Sequence, residues 1–221
     1  GQLCSVPAQT PRTMRYVRGR MEWDGITIFT NEMMHSPIVD DVRSRFKVGW
    51  ITGDAYCLRP DYYDRAPDVA YKFDAVMTHD ADLLARGAPF VKTIRGGSWV
   101  PLGSWCLPEK TKNIAMILSG KDTLEGHKLR HAIARAGLPI DLYGPSYTPI
   151  GYDKSIAYRA YRYAVVVEAC KESNFFTEHL IDALAYGCVP FYWGCPNLHE
   201  YLPALLNFRD LAHLMHLIDW M

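Results

Sequence analysis

Two carboxylates and a threonine stand close together in Tyr161–Trp193, which reads YRYAVVVEACKESNFFTEHLIDALAYGCVPFYW. An apolar run of strand length ends at Glu168, a polar loop follows, and Thr177 and Glu178 begin a helical pattern that Gly187 ends. In open α/β sheets, ligands bind beyond the carboxyl ends of the strands, where a helix N-terminus offers N–H groups to an anion. The pattern predicts a phosphate or diphosphate site, with Glu178 placed to accept hydrogen bonds from ribose hydroxyls.

Strand-like and helical segments alternate along the chain. Continuous runs of Val, Ile and Met are typical of strands that are covered on both faces, as in parallel sheets. The predicted strands are 26–30, 47–52, 73–78, 90–94, 114–119, 140–144, 163–168 and 189–193, and the helical patterns are 37–45, 81–86, 124–136, 155–161, 177–186 and 211–220. This alternation predicts an α/β fold.

Helix boundaries and a linker can also be predicted. Asp122 and Thr123 are candidate N-caps before Leu124, and Gly137 and Gly187 are candidate helix stops. Glycine, proline and serine without periodicity fill the stretch 96–113, which we interpret as a linker. The expected domains are therefore 1–103 and 104–221.

The composition bounds the class of protein. The chain has 221 residues, 49% hydrophobic and 22% charged, as expected of a soluble globular protein with a real core. Lysine plus arginine equal aspartate plus glutamate at 24 each, which argues against a nucleic-acid partner. No apolar stretch reaches the roughly 20 residues that span a bilayer, so we expect no transmembrane segment. The stretch 1–20 lacks the apolar core of a signal peptide and is expected to form a loose arm.

Cysteine usage indicates the compartment. The six cysteines stand at positions 4, 57, 106, 170, 188 and 195, without a CxxC pair. We expect no metal site, and we expect free thiols in a reducing, cytoplasmic location. No GxGxxG follows a strand, so a dinucleotide oxidoreductase is disfavoured.

The segment from Phe175 to Gly194, with VVVEA upstream, resembles the donor-binding signature of family 10 glycosyltransferases, the α-1,3/1,4-fucosyltransferases. Their pattern is FENS, a loop, YxTEK, a helix and VPxxxG. TGDAYCLRP (52–60) with FDAVMTHD (73–80) is similar to the family's TGE segment, and ILSGKDTLEGHKLR with IDLYG resembles the start of its nucleotide-binding half. The resemblance implies a GT-B architecture, with two small Rossmann-like domains facing a cleft. It also implies an acceptor-side first domain, a nucleotide-sugar-binding second domain and inverting transfer of fucose from GDP-fucose to a glycan hydroxyl, with no tightly bound cofactor and no required divalent metal.

The resemblance assigns a role to Asp54, which matches the family's TGE carboxylate, the general base that takes the acceptor proton. Its alternative role is to cap the turn at Gly53. Glu178 matches the TEK glutamate and would bind the donor, although an acid in a first helical turn also stabilises the helix dipole. Thr177 is expected both to cap this helix and to bind phosphate.

Three positions depart from the family pattern: Ala169 replaces asparagine, Phe175 replaces tyrosine and His179 replaces lysine. Phe175 and His179 remain candidate donor-binding residues, with a place on the helix surface as the alternative for His179. Histidine is mostly neutral at pH 7, so it would offset less charge on a leaving diphosphate. Lys128 or Arg130, with Lys121 as a third candidate, would restore that charge, unless these side chains simply face water.

Three further residues are candidates in the same reading. Glu168 is expected to orient the loop or to reach the donor. Its alternative role is to end the strand and to cap nearby N–H groups. Trp99 and His79 are candidate acceptor-binding residues, with burial in the core as the alternative. The departures keep two other functions open: transfer from another nucleotide sugar, and a catalytically inactive nucleotide- or glycan-binding protein.

Overall fold

The computed structural model describes residues 22–94, 97–202 and 205–221. The predicted N-terminal arm and Cys4 lie outside the described residues. The described chain divides into two compact units: an N-terminal unit, which contains 22–94 and Glu172–Phe175, and a C-terminal unit, which contains the rest of 97–221. The second half of the chain therefore contributes four residues to the N-terminal unit.

The N-terminal unit is a four-stranded parallel sheet in the order β1-β2-β3-β4. Its elements are β1 (Glu22–Thr30), a 3-10 helix (Asn31–His35), α1 (Ile38–Asp41), β2 (Arg43–Trp50), α2 (Pro60–Asp64), α3 (Ala66–Val69), a 3-10 helix (Ala70–Lys72), β3 (Ala75–Thr78), α4 (Ala81–Ala85) and β4 (Phe90–Lys92).

The strand order of this sheet determines which face is covered. Because parallel crossovers are right-handed, three successive steps in one direction put all three connections on the same face. All three connections contribute to one buried cluster with Phe29, Ile51 and Val76. Ile28 and Val91 point to the opposite face and are 43% and 49% exposed. The expectation of strands covered on both faces is thus wrong for this sheet within the described residues.

The C-terminal unit is a five-stranded parallel sheet in the order β6-β5-β7-β8-β9. Its elements are a 3-10 helix (Leu102–Ser104), β5 (Lys112–Ile117), α5 (Glu125–Arg135), β6 (Asp141–Tyr143), α6 (Ser155–Tyr158), β7 (Tyr161–Val167), α7 (Glu178–Ala185), β8 (Val189–Trp193), a 3-10 helix (Leu198–Glu200), β9 (Leu206–Asn207) and α8 (Leu211–Asp219).

Here the strand order reverses at β5, and both faces of the sheet are buried. Alternate residues of β7 enter two different clusters: Val166 packs with Leu180 of α7, whereas Val165 packs with Ile133 of α5 and Leu214 of α8. The point of reversal, between β5 and β7, is where open α/β sheets bind ligands. The sequence prediction of an α/β fold with two Rossmann-like units is confirmed.

The eight predicted strands are all present, but several boundaries differ. The stretch 37–45 was predicted as one helix, whereas α1 ends at Asp41 and β2 begins at Arg43, because Arg43 already pairs with Glu22 of β1. Helices α2 and α3 and the short strand β9 were not predicted. The helix stops at Gly137 and Gly187 are confirmed, each with φ +69°.

The start of α5 differs from the prediction. The N-cap is Leu124, not Asp122 or Thr123. The Leu124 N–H donates to Nδ1 of His127 at 3.3 Å, so the imidazole takes the place of a capping oxygen.

The predicted linker is partly ordered on the C-terminal unit. The Ser98 hydroxyl and the Trp99 N–H both donate to Oδ1 of Asp182 in α7, at 2.6 and 2.8 Å. Lys154 forms an ion pair with the other oxygen of this fully buried carboxylate. These contacts hold the segment that begins at Ser98 on the C-terminal unit.

Two further expectations concern membranes and thiols. Within the described part of the chain, no helix combines the length and apolar character needed to cross a bilayer. No disulfide joins the five cysteines that the structure describes, of which Cys188 and Cys195 are buried.

Candidate functional site

The loop between β7 and α7 is closed by one carboxylate. Glu168 follows β7 directly and is fully buried. Its Oε1 accepts the Thr177 N–H at 2.9 Å, and its Oε2 accepts the Thr177 hydroxyl at 2.8 Å. Thr177 is also the N-cap of α7, where its Oγ1 accepts the His179 N–H at 3.3 Å. Glu168 therefore fixes the position at which α7 begins.

Two glycines make room for Glu168. A Cβ on Gly194 would lie 2.5 Å from Cγ of Glu168, and a Cβ on Gly126 would lie 1.8 Å from its carbonyl oxygen. The Gly126 N–H donates to the carbonyl of Ala169 at 3.0 Å. Only glycine permits α5 and the end of β8 to approach Glu168 so closely.

Gly126 was not singled out by the sequence reasoning. The available signal was a glycine in the first turn of a helix that follows a strand, a position where dinucleotide-binding folds use glycine for close helix–strand packing. Without the rest of the GxGxxG pattern, that signal is weak.

Burial shapes the electrostatics of this loop. Desolvation raises the pKa of Glu168, and the hydrogen bonds from Thr177 and the charge of Arg130 oppose that rise. Arg130 is itself buried, with Nε and Nη2 both donating to the carbonyl of Val167 at the end of β7. Desolvation lowers the pKa of Arg130. In this structure the Arg130 guanidinium therefore holds the end of β7, and its role as a diphosphate ligand stays a prediction.

The start of α7 presents side chains rather than backbone donors. Three backbone donors are used within the chain: Thr177 N–H by Glu168, His179 N–H by Thr177 Oγ1, and Leu180 N–H by the Thr177 carbonyl at 3.2 Å. The expected amide cradle for a phosphate is therefore not open at these three residues. The side chains of Glu178 and His179 are 22% and 32% exposed, with Oε1 and Nε2 3.8 Å apart.

The two lysine candidates lie on the surface of the same unit. Lys121 precedes α5 and Lys128 lies on it, and both are exposed. Lys171, which the sequence reasoning did not consider, is exposed in the loop after β7, with its Nζ 5.0 Å from the ring centroid of Trp193. This unit thus offers a carboxylate for hydroxyl groups and lysines for an anion.

Asp54 belongs to the N-terminal unit, in an exposed loop after β2. The loop turns at Gly53, whose φ of +97° is accessible to glycine and strained for other residues. The Asp54 carbonyl accepts a hydrogen bond from the Tyr63 hydroxyl.

The three aromatic candidates differ in exposure. His79 is 2% exposed, with its Nε2 2.7 Å from Oε1 of Glu172. Phe175 is also 2% exposed, and its ring centroid lies 4.9 Å from that of His79. The two rings pack on each other, and the binding roles of His79 and Phe175 stay predictions. Trp99 is 48% exposed, but in the C-terminal unit.

The structure thus groups Glu168, Thr177, Glu178, His179 and Arg130 in the C-terminal unit. It places Asp54, His79 and Phe175 in the N-terminal unit.

No known family model matches the chain. It is 28% identical over 140 residues to a fucosyltransferase-like protein of Arabidopsis thaliana, a match that covers 57% of this chain and 27% of that protein. A solved α1,3-fucosyltransferase aligns over 88% of this chain and 65% of its own, with a TM-score of 0.56 and 12% identity. A crystal structure of α1,3-fucosyltransferase with GDP-fucose aligns over 96% of this chain and 81% of its own, with a TM-score of 0.49 and 13% identity.

The chain therefore spans about a quarter of the length of the plant relative and about two thirds of the first solved structure. Its two parallel α/β units have the GT-B-like fold of the α1,3-fucosyltransferase.

Proposed function

We propose that this protein is an inverting glycosyltransferase that transfers fucose, or a related sugar, from GDP-fucose to a hydroxyl of a glycan acceptor. The observation that carries the proposal is the convergence of Glu168, Thr177 and Gly194, which come from the end of β7, the start of α7 and the end of β8 within the signature-like segment. Their contacts show that this segment acts as one packed unit, which leaves Glu178 and His179 partly exposed. The fold and the plant relative give independent support at a coarser level.

The proposed chemistry needs no metal. Asp54 accepts the proton of the acceptor hydroxyl as that oxygen attacks the anomeric carbon, and the bond from this carbon to the diphosphate breaks, releasing GDP. Glu178 binds hydroxyl groups of the donor. Positive charge for the diphosphate comes from Lys121 or Lys128, with a hydrogen bond from His179, since Arg130 is engaged at Val167. The N-terminal unit then serves the acceptor and the C-terminal unit the nucleotide sugar.

Nucleotide binding is the first test. A ligand at 100 times its dissociation constant stabilises the folded protein by about 2.7 kcal/mol, which raises the melting temperature of a chain of this size by roughly 5 to 10 °C. We expect this shift with GDP and GDP-fucose, and a smaller shift with UDP and ADP. Equal or absent shifts with all of these nucleotides would contradict the proposed donor.

Transfer is the second test. Asp54→Asn keeps the size of the side chain and removes its basicity, so GDP-fucose binding should persist while transfer falls by at least about a hundredfold. The matched control is Asp61→Asn, an exposed aspartate in α2. Transfer by Asp54→Asn at the control's rate would remove Asp54 from the proposed role.

A second candidate function is a catalytically inactive nucleotide- or glycan-binding protein. The engaged N–H groups at the start of α7 and the replacement of the family's lysine by His179 favour it, because both reduce the positive potential available to a leaving diphosphate. A GDP-dependent melting shift without transfer would support this candidate. A larger shift with another nucleotide and its sugar would instead indicate a different donor.

A further inference from the structure

Asp54 has an exposed side chain but a fixed backbone. Among the described residues, none donates a hydrogen bond to its carboxylate, so the direction of the side chain depends on the loop that carries it. Two hydrogen bonds hold this loop: the Tyr63 hydroxyl donates to the Asp54 carbonyl, and the Tyr56 N–H donates to Oε2 of Glu172 at 2.9 Å.

The two groups that hold the loop are joined through His79. Its Nε2 lies 2.7 Å from Oε1 of Glu172 and 3.4 Å from the Tyr63 hydroxyl oxygen. The Tyr63 proton is already given to the Asp54 carbonyl, and a carboxylate only accepts, so Nε2 must carry the proton that it donates to Glu172. The geometry thus places a proton on Nε2 of His79.

This network is anchored by the four residues that the second half of the chain contributes to the N-terminal unit. The Asn174 amide donates to the His79 carbonyl at 3.0 Å, and the Phe175 ring packs on the imidazole. Asn174 takes the left-handed conformation, with φ +61°, which asparagine adopts more readily than most residues. Glu172 is therefore held at the place where its two oxygens meet His79 and Tyr56.

We propose that Tyr63, His79 and Glu172 are positioning residues that fix the direction of Asp54 by holding the backbone at its own carbonyl and at the N–H of Tyr56, two residues further on. This inference rests on the proposed function, in which Asp54 is the base. Because a general base must lie within hydrogen-bond reach of the proton it removes, a looser loop lowers the rate of the chemical step more than it changes donor binding.

The test compares two adjacent tyrosines of α2. Tyr63→Phe removes the hydroxyl that holds the Asp54 carbonyl, whereas Tyr62→Phe removes a buried hydroxyl that donates to Glu32. We expect Tyr63→Phe to lower kcat between about ten- and a hundredfold with KM for GDP-fucose little changed. We also expect amide exchange across residues 54–56 to rise about fivefold, as the loss of one hydrogen bond implies. Tyr62→Phe should change neither.

Glu172 provides a second arm. Glu172→Gln retains an oxygen for the Tyr56 N–H, so it should lie closer to wild type in kcat and exchange than Glu172→Ala, which retains none. Equal exchange and equal kcat in Tyr63→Phe and Tyr62→Phe would overturn the inference. If wild-type protein shows no transfer at all, the proposed function fails, and the exchange measurement alone then decides whether these residues fix the loop.

Discussion

The carboxylate of Glu168 accepts both the backbone N–H and the hydroxyl of Thr177, at 2.9 and 2.8 Å. The two residues enclose the whole loop between β7 and α7. The same loop contains Glu172–Phe175, which belong to the N-terminal unit, so its two ends are tied together while its middle packs elsewhere. One buried acid therefore determines the start of the helix that presents Glu178 and His179.

Removing this carboxylate should destabilise the protein. Glu168→Ala leaves two buried donors of Thr177 without an acceptor, and each such group costs about 1 to 3 kcal/mol. We expect the free energy of unfolding in urea to fall by about 2 to 4 kcal/mol. The matched control is Glu109→Ala, an exposed glutamate of the same unit, which should change it by less than about 0.5 kcal/mol. Similar losses in the two variants would show that Glu168 does not hold the loop.

The raised pKa of Glu168 predicts a pH dependence with a definite sign. A carboxyl whose pKa is higher in the folded state than its unfolded value near 4.3 binds more protons when folded. Its contribution to stability is complete below the unfolded pKa and is lost as pH rises through the folded pKa. The difference in unfolding free energy, Glu168→Gln minus wild type, should therefore rise from about pH 4 and level off above the folded pKa. Urea titrations between pH 4 and 8 measure this difference, and a flat or falling difference would contradict the shift.

Much of this fold was predictable because it depends on local patterns. Apolar runs of strand length predicted the eight longer strands. Gly137 and Gly187 predicted the two helix ends, where the backbone takes a positive φ. The boundary between α1 and β2 was missed because the pairing of Arg43 with Glu22, across the sheet, overrides the local helical pattern.

The site was less predictable because burial and partners depend on long-range contacts. Position in a signature-like segment pointed to Glu168 and Thr177, but spacing alone does not show that one binds the other. Arg130 and His79 have side chains that could bind a substrate. In the fold, however, the Arg130 guanidinium donates to the Val167 carbonyl, and Nε2 of His79 contacts the Glu172 carboxylate. The role of Gly126 depends on a neighbour 42 residues later in the chain, Glu168, so the local pattern gives only a weak signal for it.

Gly126 should tolerate no side chain. In Gly126→Ala, a Cβ 1.8 Å from the Glu168 carbonyl oxygen forces α5 away from β7, because the atom it meets is backbone and cannot rotate aside. We expect a loss of at least about 2 kcal/mol in unfolding free energy, as for other overpacked sites. Nucleotide-dependent stabilisation should weaken as well, since α5 carries Lys128.

Gly103→Ala is the control for that substitution. Nothing lies within 4 Å of a Cβ on Gly103, and its φ is not in the left-handed range. Its unfolding free energy should be unchanged or rise by up to about 1 kcal/mol, because alanine restricts the unfolded chain. If Gly126→Ala behaved like Gly103→Ala, the close approach of α5 to Glu168 would not exist in solution.

The two faces of the N-terminal sheet should respond differently to the same substitution. Ile51 is 1% exposed within the cluster formed by the three connections, whereas Ile28 is 43% exposed on the opposite face. Ile51→Ala should cost about 2 to 5 kcal/mol, because it removes a buried side chain and leaves a cavity. Ile28→Ala removes atoms already partly in water and should cost less than about 1 kcal/mol. Urea unfolding of both variants measures the difference, and equal costs would mean that something covers Ile28 as fully as the helices cover Ile51.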